Sequence, residues 1–209
     1  MNEIIFVDKS SQIEIENLRM SEYAKASGFE LDLNSLKWKS SDNDSYIMAA
    51  KSKNEIISTM RGEVISDLLL LEHKLECPWS FSEKIDLPVL LLSRAATLSS
   101  YRNAGLNLVL RYWFLQLAFA HNIQFVIGTF VSGSPRENTL REMGYQFYQN
   151  DLGWQQSSYR SLRPVIVAAL NLKTHGEQAL EHCQTTAKST LVNYKFASEF
   201  PELRIVRSL

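Results

Sequence analysis

The chain has 209 residues, 45% of them apolar, with 22 Lys and Arg against 23 Asp and Glu. This is a globular composition with enough apolar side chains for a sizeable core. The net charge of -1 gives no electrostatic case for nucleic acid or an anionic membrane. Two cysteines, Cys77 and Cys183, are too few for a disulfide framework, so a reducing, cytoplasmic setting is expected. The opening MNEIIFVDKS lacks the basic start and long apolar run of a signal peptide. The most apolar stretch, 106–120, is interrupted by Asn107, Arg111 and Gln116. It is shorter than the roughly 20 residues of a membrane span and reads as a buried core helix.

In chain order, EIIFV reads as a first strand, and residues 12–27 read as a helix with Ile15, Leu18 and Glu22 at helical spacing, stopped by Gly28. Residues 33–44 are turn-rich and read as a loop. SYIMAAKS and EIISTMRGEVI, joined at Lys53-Asn54, read as a strand hairpin. DLLLLEHKLE is compatible with a helix, and the stretch from Cys77 to Pro88 reads as a loop. VLLLSRAATL has the near-continuous apolar run of a strand buried on both faces. A helix over 104–121 and a second buried strand, IQFVIGTF, follow. SPRE at 134–137 matches a capping box, with Ser134 as N-cap, Pro135 at the first helical position and Glu137 reaching back. That helix should stop at Gly144. YQFYQ and RPVIVAALNL close the strand set, and a mostly helical tail runs to Pro201. The order predicts an α/β (α+β) domain with a mixed central sheet of about seven strands flanked by helices.

The stretch SSYRNAGLN lies between the apolar strand and the long helix. The first N–H groups of a helix lack intrahelical partners and sit at the positive end of its dipole. A glycine there lets a phosphate approach the backbone, and Arg102 is placed to add a charge-assisted contact. The alternative is plainer: Gly105 lets the helix start pack tightly. Neither a dinucleotide-binding G-x-G-x-x-G nor a P-loop is present.

A buried strand, then Arg102-x-x-Gly105-x-Asn107, then helix, strand and a helix ending at Gly144-Tyr145 resembles the GNAT acyltransferase superfamily. The resemblance spans roughly residues 4–172 and implies a GNAT-like domain over 1–172, with a C-terminal helical appendage over 173–209. The appendage would pack on the same domain or on a partner subunit. The resemblance further implies that Arg102, Asn103, Ala104, Gly105, Leu106 and Asn107 hold the phosphates of coenzyme A or of acyl-carrier phosphopantetheine. It also implies a backbone N–H at Ala96, Thr97 or Leu98, on a bulged strand, facing the thioester carbonyl. Leu18-Arg19 with Tyr23, then Asp42 and Asp44, then Arg61, then Ser93-Arg94 is similar to the autoinducer synthase and N-acyl amino acid synthase branch. On that resemblance Arg94, Arg61 and Arg19 serve the acceptor side, for example by holding a carboxylate. Three positions depart from the patterns. Asn107 replaces a Gly or Ala, Leu91 replaces the synthases' Glu three residues before Arg94, and Leu140 replaces the Tyr that protonates the leaving thiolate in many GNAT enzymes.

Plain readings stand beside these. Arg19 is compatible with an exposed ion pair to Glu16 or Glu22, and Arg61 with a solvent-facing strand residue. Arg94, following five mainly apolar residues, needs a buried partner, for which Asp42, Asp44 and Glu63 are candidates. Trp38, Trp79 and Phe81 are candidates for an apolar acyl pocket. Arg102, Arg111, Arg136 and Arg141 are candidates for a basic rim that steers an acidic carrier protein. The scattered histidines offer no metal site. The expected function is N-acyl transfer from a coenzyme A or carrier thioester to a small amine by a monomer or homodimer. The rival is a GNAT-fold sensor or assembly factor that keeps the cleft and has lost the chemistry.

Overall fold

A computed structural model describes residues 2–25, 29–31, 33–76, 85–149, 159–161 and 164–206. Its centre is a 9-stranded mixed sheet. Strand β1 (Asn2–Val7) leads into helix α1 (Gln12–Ala24), short strand β2 (Phe29–Leu31) and a single helical turn, α2 (Ser40–Asn43). The hairpin β3 (Tyr46–Ser52) and β4 (Glu55–Ile65) follows, then α3 (Leu68–Leu75), β5 (Val89–Thr97) and α4 (Leu106–Ala120). Next come β6 (Phe125–Val131), α5 (Arg136–Glu142), β7 (Gln146–Gln149), β8 (Tyr159–Ser161) and β9 (Val165–Asn171). The chain ends in α6 (Leu172–Thr186), α7 (Lys188–Asn193), β10 (Lys195–Phe196) and β11 (Ile205–Val206).

The sheet runs β10-β1-β3-β4-β5-β6-β9-β7, with β11 beside the end of β4. The β5–β6 pair is parallel, joined by the α4 crossover, and its ladder runs only from Val89↔Phe125 to Leu92↔Gly128. Beyond that point β6 continues against β9 alone and β5 against β4 alone. The sheet therefore splits after Leu92 and Gly128.

Directly opposed residues share a sheet face, and this sorts the β4–β5 ladder. One face carries Thr59, Arg61, Glu63 and Ile65 of β4 with Ala96, Ser93, Leu91 and Val89 of β5. At one end of that face α1 packs Ile15 and Leu18 on Ile47, Ala49 and Ala96. At the other, α3 packs Leu70, Leu71 and Leu75 on Ile65, Val89 and Leu91. The opposite face is covered by α4, whose Phe114 lies over Gly62, where an added Cβ would come within 2.5 Å of the ring. Helix α6 packs on α4 through Ala179 and Cys183, and β10 and β11 pair with β1 and β4.

Boundaries moved where local signals met tertiary packing. The loop expected over 33–44 contains a 3-10 turn, Leu33–Leu36, and α2. The long helix starts at Leu106, because Gly105 adopts φ +74° just before it. The capping box at 134–137 does not form. Glu137 accepts from the Gly133 N–H, and the buried Ser134 hydroxyl has no hydrogen-bond partner. Gly144, at φ +87°, ends the helical segment as expected. The tail is not helical throughout, since it adds two short strands to the sheet. Cys77, Trp79 and Phe81 lie outside the described residues.

Candidate active site

The band of sheet between the α1 and α3 patches is charged. Asp42, on α2, is buried and accepts from Arg61 Nη1 at 3.1 Å and from Arg94 Nη1 at 2.9 Å. The Lys39 N–H completes its shell at 2.8 Å. Burial alone would raise the Asp42 carboxyl, but the charges of Arg61 and Arg94 prevail and hold it below the usual carboxylate range. Arg61 also reaches Glu63 Oε2 at 2.7 Å and donates from Nε to Ser93 Oγ at 2.9 Å. Lys74 on α3 holds the other Glu63 oxygen at 2.8 Å.

Arg94 stands at a bulge. Thr59 pairs with Ala96 and Arg61 with Ser93, so Met60 faces two residues, Arg94 and Ala95. Arg94 takes a left-handed backbone, φ +51°. Its guanidinium bridges Asp42 and the carbonyls of Ser35 and Lys37. Burial, followed by repulsion from Arg61, lowers its proton affinity.

Arg19 completes the group from α1. Its side chain is 0% exposed, and its nearest counter-ion atom, Asp42 Oδ1, lies at 3.9 Å, beyond hydrogen-bond reach. None of its three nitrogens has a hydrogen-bond partner among the described residues. Burial is the main cause that lowers this guanidinium to about 10, with Arg94 and Arg61 adding repulsion and Asp42 opposing it. The expectations of an exposed Arg19 pair and a solvent-facing Arg61 are both overturned, because each side chain lies under α1 or α2 in the protein interior. Asp42 joins the group, whereas Asp44 is exposed and stays out.

The turn after β5 is built differently from a bare phosphate cradle. Ser99–Tyr101 form a 3-10 turn, Arg102, Asn103 and Ala104 are exposed, and Asn103 has φ +66°. The Asn103, Gly105, Leu106 and Asn107 amides have no hydrogen-bond partner among the described residues. Arg102 is held by Glu22 Oε2 at 2.9 Å, and Ser99 Oγ donates to the same oxygen at 2.7 Å. Gly105 also faces the C-terminal helices: an added Cβ would lie 3.2 Å from Ala187 Cβ, and Thr190 Oγ1 donates to the Ala104 carbonyl. The tight-packing alternative thus accounts for the glycine without any ligand.

Of the three backbone positions expected to face a thioester, Leu98 is removed, since its N–H donates to the Ile57 carbonyl at 2.9 Å. Ala96 and Thr97 lie on β5 beyond the split, with no strand paired on their β6 side among the described residues. The basic rim does not form from the expected set. Arg111 is buried, donating to the Tyr145 hydroxyl at 2.8 Å, and Arg141 lies over the Phe147 ring and pairs with Glu137. Trp38 is hydrogen-bonded to Glu16 through its N–H and to Asn43 through its indole, and it packs on the α1 cluster.

Glu63, expected as a candidate partner for Arg94, pairs instead with Arg61 and Lys74, and Lys74 was not among the expected residues. Leu91 is buried in the α3 cluster, and Glu63 stands directly across the ladder on the same face. A carboxylate is therefore presented at this level of the sheet from β4 instead of β5. Only the hairpin register, worked out residue by residue, carries that signal.

No protein-family model and no curated protein matches the sequence. Solved structures do match. The coenzyme A-dependent acyl-homoserine lactone synthase BjaI superposes with a TM-score of 0.67 at 14% identity, over 98% of this chain and 96% of that one. The chain has the GNAT fold. An N-acetyltransferase from Staphylococcus aureus Mu50 matches at TM-score 0.58 and 10% identity, over 82% of this chain and 99% of that one. FeeM, an N-acyl amino acid synthase from uncultured soil microbes, matches at 0.59 and 11% over 87% and 98%. These GNAT-fold neighbours are acyltransferases. Among the described residues no helix is long and apolar enough to cross a membrane.

Proposed function

We propose that the protein transfers an acyl group from a thioester, of coenzyme A or of acyl-carrier phosphopantetheine, to the amine of a small molecule. The observation that carries this is the split between β5 and β6 placed beside the bulge at Arg94 and the buried arginines. The thioester would lie in the split, its carbonyl met by the free β5 edge at Ala96 or Thr97. Such a donor is worth on the order of 2.7–4 kcal/mol at the transition state. The main-chain N–H groups of Asn103, Gly105, Leu106 and Asn107, with Arg102, would donate to the phosphate end. The amine nitrogen forms the new C–N bond, the C–S bond breaks, and the proton lost by the amine leaves with the thiol.

Arg94, Arg61 and Arg19 serve the acceptor in this reading. Leu140 is buried in the core and supplies no acid for the thiolate, so proximity and the oxyanion contact carry most of the rate. That same residue favours the second reading, a ligand sensor that has lost turnover. Thiol release across a panel of acyl donors and amines decides between them: release that depends on the amine supports transfer, and ligand-induced stabilisation without release supports the sensor. Coenzyme A or holo-carrier binding that survives an Arg102→Ala, Gly105→Val double substitution unchanged would refute the phosphate-loop assignment.

A further inference from the structure

Helix α1 and the turn after β5 meet at one buried carboxylate, Glu22, which is 3% exposed. Lys25 Nζ donates to its Oε1 at 2.6 Å, and Ser99 Oγ and Arg102 Nη2 donate to its Oε2 at 2.7 and 2.9 Å. Burial alone would raise this carboxyl, but the bonds from Lys25 and Ser99 prevail and hold it below its ordinary value, so it is an anion at neutral pH. Ser99 opens the 3-10 turn and Arg102 caps it. A single oxygen on α1 therefore staples both ends of the turn, and the Arg102 N–H repeats the tie by donating to the Ser99 carbonyl at 3.3 Å. A guanidinium carries five N–H donors, and Glu22 occupies one of them. The Arg102 side chain stays 49% exposed.

An anion beside this guanidinium acts on an incoming phosphate in two opposed ways. Its charge repels the phosphate, and its grip orders the long side chain that is to receive it. Lys25 on the other oxygen balances the Glu22 charge, so the repulsion is small. Ordering a side chain of this kind in advance is worth about 2- to 12-fold in affinity. We infer that Glu22 is a positioning residue for the thioester donor, fixing Arg102, with Ser99, where the phosphate of the donor's pantetheine arm binds. The inference deepens the acyl-transfer reading and rests on it for the identity of the ligand. The ligand chemistry is a phosphate ester of pantetheine, common to coenzyme A and to a holo-carrier protein. Glu22 acts through Arg102 and needs no contact with the donor.

Equilibrium titration of the full-length protein tests this without turnover. The probes are coenzyme A, free phosphopantetheine, and pantetheine, which lacks the phosphate. Glu22→Gln should weaken both phosphate-bearing probes by about 2- to 12-fold and leave pantetheine unchanged. Ser99→Ala keeps the Glu22 charge in place and should weaken the same two probes by a smaller factor. In an Arg102→Ala background Glu22→Gln should have no further effect. With turnover, Glu22→Gln should raise the donor KM and leave kcat unchanged. Circular dichroism and a sharp melting transition confirm that the variants fold. A carboxylate that only braces the fold would weaken all three probes and keep its effect without Arg102, and either result overturns the inference. Unchanged or tighter binding of the phosphate probes by Glu22→Gln overturns it too, since the carboxylate would then be idle or a competitor of the phosphate. A loss confined to coenzyme A places Arg102 at the second phosphate and overturns the assignment to the arm. Failure of the wild type to bind either phosphate probe removes this inference and the donor-loop reading together. Wild-type binding with the expected variant losses but no thiol release for any amine leaves Glu22 in its role and removes the transferase reading alone.

Discussion

Replacing Arg19 with methionine should make the ligand-free protein more stable. The substitution removes a fully buried guanidinium whose three nitrogens are unpartnered and puts an apolar chain of similar length among Ile15, Leu18 and the sheet. The drop of this group to about 10 corresponds to about 3 kcal/mol held against the charged form in the fold. The loss of attraction to Asp42 at 3.9 Å offsets part of the gain. The net expectation is a stabilisation of about 1–3 kcal/mol, and a melting rise of roughly 2–4 °C per kcal/mol for a chain of this size. Urea denaturation reads it as a raised midpoint at unchanged slope. There is also an alkaline signature. Between about pH 10 and the unfolded guanidinium's higher value the unfolded chain binds more protons than the fold, so wild-type stability from this group rises with pH there. Arg19→Met lacks that rise. A variant less stable than wild type by more than about 1 kcal/mol would show that Arg19 is a structural ion-pair member, and the reading of an uncompensated buried guanidinium would fail.

Asp42→Asn should cost about 3–5 kcal/mol, because it leaves Arg61 and Arg94 buried without their shared anion; chemical denaturation measures it. Since the Asp42 carboxyl lies below its usual range, its contribution is complete above roughly pH 4 and fades as pH falls through the lower folded value. The gap between wild type and Asp42→Asn should therefore close in acid. Gly105→Ala should lose about 1–3 kcal/mol through its left-handed backbone, with Ala187 at 3.2 Å adding crowding; an unchanged melting temperature would contradict the packing of α7 on this turn. Arg102→Ala should cost less than about 1 kcal/mol in stability, as a half-exposed pair to Glu22, while weakening coenzyme A or holo-carrier binding in a direct titration.

The residues of the site were legible in the sequence to the extent that their chemistry forced a partner. Arg94, in an apolar strand, required a buried anion, and Asp42 was among the candidates. Arg19 was not legible as buried, because Glu16 and Glu22 at helical spacing offered a surface pairing that the fold assigns elsewhere. Glu16 accepts from the Trp38 N–H, and Glu22 binds Ser99 and Arg102. Lys74 was hidden, and Glu63 was legible only as a candidate for Arg94, for another reason. Their meeting with Arg61 depends on the register of two strands and the placement of α3, which no local pattern encodes. The C-terminal strands escaped because Lys195–Phe196 and Ile205–Val206 are each two residues long and are held by distant partners, by pairing with β1 and β4 and by packing of Phe196 on Trp113 and of Val206 in the α3 cluster.

The bulge at Arg94 links the two halves of the site, and that link has its own test. A left-handed arginine costs of order 1–2 kcal/mol relative to glycine, and here the cost is offset by the bonds to Asp42, Ser35 and Lys37. The same extra residue falls just past Leu92, where the β5–β6 ladder ends. Charge and backbone are thus joined at one position, and two substitutions separate them. Arg94→Ala and Arg94→Gly both remove the guanidinium, but alanine keeps a Cβ in the left-handed region and glycine does not. Arg94→Gly should therefore be the more stable of the two by about 1 kcal/mol. If alanine equals or exceeds glycine in denaturation midpoint, the strand does not carry its extra residue at Arg94.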